Sequence, residues 1–165
     1  METLHVTHPF PPLMDKNSRV LILGSFPSVK SREQGFFYGH RQNRFWPMLA
    51  AVFGEPVPDW ADIPAKSALA LRHGLALWDT IYACDIVGSS DASVRNAVPI
   101  DISRVLKAAP IRRILCNGAL SGRLYARYLL PVTGLPALVL PSTSPANASF
   151  TLDALCRAWG EAILG

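Results

Sequence analysis

The chain has 165 residues, 50% of them hydrophobic and only 17% charged, which is core material for one domain and excludes an intrinsically disordered chain. No stretch approaches the roughly 18 uninterrupted apolar residues of a membrane span, and the start lacks the basic-then-apolar pattern of a signal peptide, so a cytoplasmic protein is expected. The formal net charge of +4 favours polyanions over cationic partners.

In chain order, residues 1–18 read as an N-terminal loop segment leading into a single domain spanning 1–165. Val20–Leu23, Leu75–Trp78, Arg113–Cys116 and Ala137–Leu140 are short, apolar and non-alternating, as strands of a parallel sheet are when both faces are covered. Between and after them lie helical stretches. Asn43–Phe53 places Phe45, Leu49 and Val52 on one side, and Asp101–Ala108 opens on a good cap residue and stops before Pro110. Ala119–Leu130 follows the third strand. Ser149–Leu164 follows the fourth, with Leu152, Leu155, Trp159 and Ile163 at helical spacing. Alternating strands and helices predict an α/β fold, a three-layer α/β/α sandwich around a four-stranded, mainly parallel sheet. Cys84, Cys116 and Cys156 stand alone in apolar surroundings, without the spacing of a disulfide framework or a metal site, and read as buried thiols.

Ligands of such sheets sit beyond the carboxyl ends of the strands. After the first strand comes Gly24-Ser25-Phe26-Pro27-Ser28 and a long loop to Trp46; after the second, Asp79-Thr80; after the third, Asn117-Gly118; after the fourth, Pro141-Ser142-Thr143-Ser144-Pro145-Ala146-Asn147. These loops carry small residues, amides, hydroxyls and aromatics, almost no carboxylates and no metal-ligand set, with His40 the only histidine. Paired acids for ordinary glycoside hydrolysis are missing, and so are a nucleophile elbow and the glycine-rich nucleotide loops. What remains predicts an aromatic pocket that stacks a flat heterocycle and hydrogen-bonds its edge. Small hydroxyl residues before the last helix are suited to hold a phosphate through backbone N–H groups. A planar base plus backbone phosphates is what a base-flipping enzyme must hold.

The residues Gly24-Ser25-Phe26-Pro27-Ser28, Gly35-Phe36-Phe37-Tyr38-Gly39-His40 and Asn43-Arg44-Phe45-Trp46 resemble the first motif of the uracil-DNA glycosylase superfamily, nearest to its hypoxanthine-DNA glycosylase branch. Residues 141–147 resemble the second motif, the loop that enters the DNA minor groove; Gly74–Asp79 and Cys116–Gly118 resemble the segments between. The resemblance implies strand order 2-1-3-4. It also implies monofunctional hydrolysis of the N-glycosidic bond of a deaminated base in DNA, hypoxanthine first and uracil next, leaving an abasic site without cofactor or metal. Most superfamily members place Asp or Asn two residues after the first motif's glycine; this chain has Phe26. In the hypoxanthine branch the catalytic amide is the Asn of the Asn-Arg-Phe-Trp run, here Asn43, and the Asn after the third strand, here Asn117, is also implicated. Similarity to the mismatch-specific enzymes puts Tyr38 at the base-stacking position.

Each residue also has a plainer reading. Asn43 can orient water by hydrogen bonds but lacks the basicity to deprotonate it, and it also suits a helix cap. Asn117 can meet a carbonyl and an N–H on one base edge, or simply form a turn before Gly118. Gly24, Ser25, Phe26 and Tyr38 are expected to bound the base; Phe36 and Phe45 belong to the core. Ser142, Thr143, Ser144, Asn147 and Arg44 are DNA-contact candidates, with Pro145 and Ala146 a rigid wedge. Lys30, Arg32, Arg41, Arg95 and Arg123 are further phosphate candidates. His40 and Asp79 read as structural. The expected partner is DNA carrying deaminated bases, bound by a monomer. Alternatives are a uracil- or xanthine-specific enzyme, a non-catalytic damage binder, and a hydrolase of free nucleosides.

Overall fold

A computed structural model describes residues 2–165. The elements are β1 (Leu4–Thr7), β2 (Val20–Gly24), α1 (Val29–Gln34), α2 (Phe45–Val52), α3 (Ile63–Arg72), β3 (Leu75–Asp79), β4 (Ile81–Ile86) and β5 (Arg95–Pro99). They continue with α4 (Ser103–Ala108), β6 (Arg113–Asn117), α5 (Ala119–Leu124), a π-helical turn (Tyr125–Leu129), α6 (Leu130–Thr133), β7 (Ala137–Leu140) and α7 (Leu152–Leu164). The central sheet runs β3-β2-β6-β7, parallel throughout. This is the order 2-1-3-4 of the four strands read from the sequence. Both faces are covered. On β7, Val139 meets α5 at Gly122, while Leu138 and Leu140, which alternation turns to the other face, share a cavity with Ala158 and Ala162 of α7.

Helix–sheet contact is closest at Gly122. A Cβ there would lie 2.5 Å from Val139 Cγ2, and a side chain branched at Cβ has little room to give. Gly122→Ala gains up to about 1 kcal/mol of helix propensity but overpacks a core contact at about 1–3 kcal/mol. The variant is expected to melt below the wild type, and Gly122→Ala/Val139→Ala to recover; a Gly122→Ala melt at or above wild type would exclude the clash.

Register fixes where the site lies. Gly24 pairs with Asp79, Leu23 with Cys116, and Asn117 with Leu140. The carboxyl ends of all four strands therefore meet at one edge, with Gly24, Asp79 and Asn117 side by side.

Several elements depart from the sequence reading. The segment 1–18 is not all loop. Leu4–Thr7 pairs antiparallel with β4, and β5 completes a second, three-stranded sheet in the order β1-β4-β5. β1 exposes three of its four residues, so backbone pairing rather than an apolar pattern forms it. β4 and β5 escape a period-two reading because two register shifts break their pairing. α1 is one short turn inside the first motif loop, opened by Ser28, whose Oγ accepts from Ser31 N, and closed by left-handed Gly35. α3, opened by Asp62, was not read from the sequence because its alanine-rich face buries few large apolar residues. The helix expected over 119–130 breaks into α5, the π-helical turn and α6, and runs on through Pro131 to Thr133. In α7, Leu155, Trp159 and Ile163 are buried as predicted, but Leu152 is exposed. Phe36 and Phe45 are core residues, as read; Cys84 and Cys116 are buried, while Cys156 is half-buried.

Candidate active site

A cavity of about 370 Å³ opens beyond the carboxyl edge of the central sheet. Its walls come from the Gly24–Ser28 loop, Phe37, Tyr38, Asn43, Asp79, Ser89–Asp91, Asn117 and the 142–146 loop. The sequence-predicted Gly24, Ser25, Phe26, Tyr38, Asn43, Asn117, Ser142, Thr143, Ser144 and Ala146 are thus gathered on one cavity. Pro145, Asn147 and Arg44 are not on its wall.

The floor is tightly built. A side chain at Gly24 would meet Asp79 Oδ1 at 2.3 Å and the Tyr38 hydroxyl at 3.3 Å, so only glycine admits both groups. Tyr38 takes a left-handed backbone (φ 54°), a costly conformation for an aromatic residue that is found at functional sites. Its ring stacks on Phe45 at 4.1 Å, and its buried hydroxyl makes no hydrogen bond of good geometry. Burial first, and then the charge of Asp79, push that phenol well above its ordinary range, so it stays protonated.

A hydrogen-bond chain joins three loops through buried Thr143. The Thr143 N–H donates to Asn117 Oδ1 (3.1 Å), which identifies that atom as oxygen. Asn117 Nδ2 then donates to Thr143 Oγ1 (3.0 Å), whose own proton goes to Asn43 Oδ1 (2.9 Å). The Phe45 N–H also donates to Asn43 Oδ1 (2.9 Å). The helix cap expected of Asn43 is corrected: Arg44 holds the N-cap position of α2 without a side-chain cap bond, and Asn43, one residue earlier, closes an Asx turn on the Phe45 N–H. Both lone pairs of Asn43 Oδ1 are engaged, so what Asn43 can offer the cavity is its N–H donors. Asn117 retains one N–H and one lone pair.

The 142–147 loop is braced from within. Ser144 N donates to Ser142 Oγ, Ala146 N to Ser144 Oγ, and Asn147 N to the Ser144 carbonyl, while Asn147 Nδ2 donates to the Ser142 carbonyl. Of the backbone N–H groups expected to hold a phosphate, those of Thr143, Ser144, Ala146 and Asn147 are already engaged, which leaves the Ser142 N–H and the hydroxyl protons of Ser142 and Ser144 as donors. The reading of Arg44 as a DNA contact is corrected. Its guanidinium binds the carbonyls of Ser144, Asn147 and Phe150, so it holds the loop in place instead of reaching outward. Ala146 is exposed at the cavity rim.

The other predicted residues lie off the cavity wall. His40 Nδ1 accepts from Gln42 N (3.1 Å) in its own turn, and the residue does not line the cavity. Arg32 is held by the carbonyls of Pro27 and Gly88, Arg95 by those of Ala92 and Val94, and Lys30 pairs with Glu33. Arg41 stacks over Trp60 at 4.1 Å.

The expectation of an almost carboxylate-free slot is corrected: Asp79 and Asp91 both line it. Asp79 Oδ2 lies 2.7 Å from His8 Nε2, and both side chains are nearly inaccessible. The Phe10 N–H points at His8 Nδ1, which puts the neutral ring's proton on Nε2, toward Asp79. His8 is further boxed by Phe10, Phe26 and Phe37. His8 and Asp91 carry no local sequence signal. One follows β1 and the other lies between β4 and β5, and only pairing into the second sheet brings them to the site. Among the described residues no three His, Cys, Asp or Glu side chains cluster as metal ligands.

Comparison with known proteins agrees with this geometry. The family model described as the uracil DNA glycosylase superfamily matches residues 11–162. A protein of Methanosarcina acetivorans named hypoxanthine DNA glycosylase is 35% identical over 144 residues, 86% of this chain and 89% of that protein. A protein of the same name from Methanosarcina barkeri is 32% identical over 156 residues, 93% of this chain and 95% of its own. A solution NMR structure from Methanosarcina acetivorans, provisionally described as a uracil DNA glycosylase, superposes with a TM-score of 0.79 at 30% identity, covering 97% of both chains.

Proposed function

The chain belongs to the uracil DNA glycosylase superfamily and is a DNA glycosylase, and from that premise we propose that it excises deaminated bases, hypoxanthine first and uracil next, leaving an abasic site. The observation that carries this reading is the Asn117–Thr143–Asn43 chain on the wall of an aromatic cavity. A flipped base stacks against Tyr38 and Phe26. The free N–H and lone pair of Asn117 meet a carbonyl and an N–H on its edge, a pairing that hypoxanthine and uracil present and adenine does not. A base that leaves those polar groups unpaired loses about 1–3 kcal/mol.

Asn43 acts as a donor, either to the oxygen of the attacking water or to the departing base. That suffices if the glycosidic bond opens ahead of water attack, because charge then develops on the sugar, where preorganised groups and DNA phosphates stabilise it. Among the described residues no lysine lines the cavity, so no Schiff-base step is expected and strand scission should require alkali.

Duplexes carrying a single hypoxanthine, uracil or xanthine test the reading through release of free base and alkali-dependent strand breaks. Binding without release would indicate a damage sensor, and release from free nucleosides but not from DNA a nucleoside hydrolase. The rim position of Ala146, with Pro145 beside it, supports the wedge. Substituting either residue is expected to slow excision from duplex about tenfold more than from single strands, since only the duplex must be unstacked, at a few kcal/mol. Equal losses on both substrates would remove the wedge.

A further inference from the structure

Two carboxylates line the cavity, and they differ in depth and freedom. Asp79 is at the floor, buried and engaged by His8. Asp91 is at the exposed mouth, on the turn between β4 and β5. It accepts one hydrogen bond within the site, from Ser25 Oγ at 3.3 Å on Oδ1, and among the described residues its second oxygen has no side-chain partner. A base that fills the cavity leads with its ring, so the sugar and the glycosidic bond stay at the mouth, on the level of Asp91. A carboxylate here faces incoming DNA phosphates and weakens binding. The same charge favours a sugar that becomes cationic.

We propose that Asp91 is a catalytic carboxylate of this site: it stands against the developing sugar cation and takes the proton of the attacking water. The inference rests on the glycosylase reading above. In the step, the water oxygen bonds to the anomeric carbon, the carbon–nitrogen bond breaks with its electron pair leaving on the base, and the water proton passes to Asp91. The base takes a proton from solvent, and Asp91 returns its own to solvent. Asn43 cannot serve as the proton acceptor, since both lone pairs of its Oδ1 are occupied. The residue two places after Gly24 is Phe26, which has no acidic group to do so.

The groups around Asp91 agree with a carboxylate that can hold a proton. Partial removal from water raises its affinity for protons, opposed by the Ser25 hydroxyl and by the charge of Arg123 from α5. Asp79 lines the same cavity, while Arg32 and Arg95 are held on loop carbonyls. The ionised form is the active one, so excision falls as pH drops through a carboxyl pKa raised above the usual carboxylate range.

Asp91→Asn keeps an acceptor for Ser25 and removes the charge. Single-turnover excision of hypoxanthine from duplex is expected to fall by about 10²–10⁴-fold, with the acid limb of the pH–rate profile gone and duplex binding unchanged or tighter. A rate within about threefold of wild type would overturn the proposal, as would an intact acid limb, or a loss that tracks weaker binding, as from a purely structural tether. If Asp91→Asn fails to fold, Asp91→Glu carries the test: retention of the acid limb is expected, and its absence overturns the proposal. Wild-type protein that releases no deaminated base from DNA would refute the glycosylase reading itself. Release by wild type with an unaffected Asp91→Asn would refute this inference alone.

Discussion

Asn43→Asp should excise as slowly as Asn43→Ala, both about 10²–10³-fold below wild type in single-turnover assays, the loss typical of removing one preorganised donor. Aspartate keeps the two bonds that the Phe45 N–H and the Thr143 hydroxyl donate to Oδ1, and loses only the amide N–H groups. The pair therefore separates two effects. Alanine removes those two bonds as well, at about 0.5–1.5 kcal/mol each, and should melt lower than aspartate. Both variants should still bind a lesion duplex, alanine almost as tightly as wild type. Excision by Asn43→Ala within about threefold of wild type would remove the Asn43 donor from the mechanism.

Thr143→Val should be nearly as damaging, though Thr143 needs no contact with substrate. Its hydroxyl accepts from Asn117 and donates to Asn43, and the residue is fully buried. Valine has the same shape and leaves both amides short of a partner, at about 1–3 kcal/mol for a buried polar group left unpaired. The two asparagines then lose the hydroxyl that links them, and only Asn117 stays tied to this residue, through the backbone N–H. Misplacing a catalytic group by about 1 Å can reduce rate about 100-fold, and a loss of that order is expected here. Thr143→Ser keeps the hydroxyl and should retain excision within a few-fold of wild type. If valine and serine behave alike, the chain of bonds through Thr143 does not position the site.

Much of the site was legible because the central strands are short, apolar and closely followed by their functional residues. Gly24, Asp79 and Asn117 end buried strands, and residues at strand ends of a parallel sheet meet at one edge. Asn43, Tyr38 and Phe26 were legible through motif resemblance. Arg44 differs from its sequence reading for a physical reason: a sequence displays a guanidinium without displaying the loop carbonyls that occupy it.

The sequence by itself determined the parallel sheet, its helices and the amide-and-aromatic character of the pocket, because hydrophobic runs and turn residues act over a few neighbouring positions. Only the tertiary structure decided which lone pairs of Asn43 and Asn117 remain free, that His8 braces Asp79, and that Asp91 stands at the mouth. Those facts depend on bonds between residues that are 71 and 100 positions apart, and on a second sheet formed by backbone pairing, which no local pattern of side chains encodes.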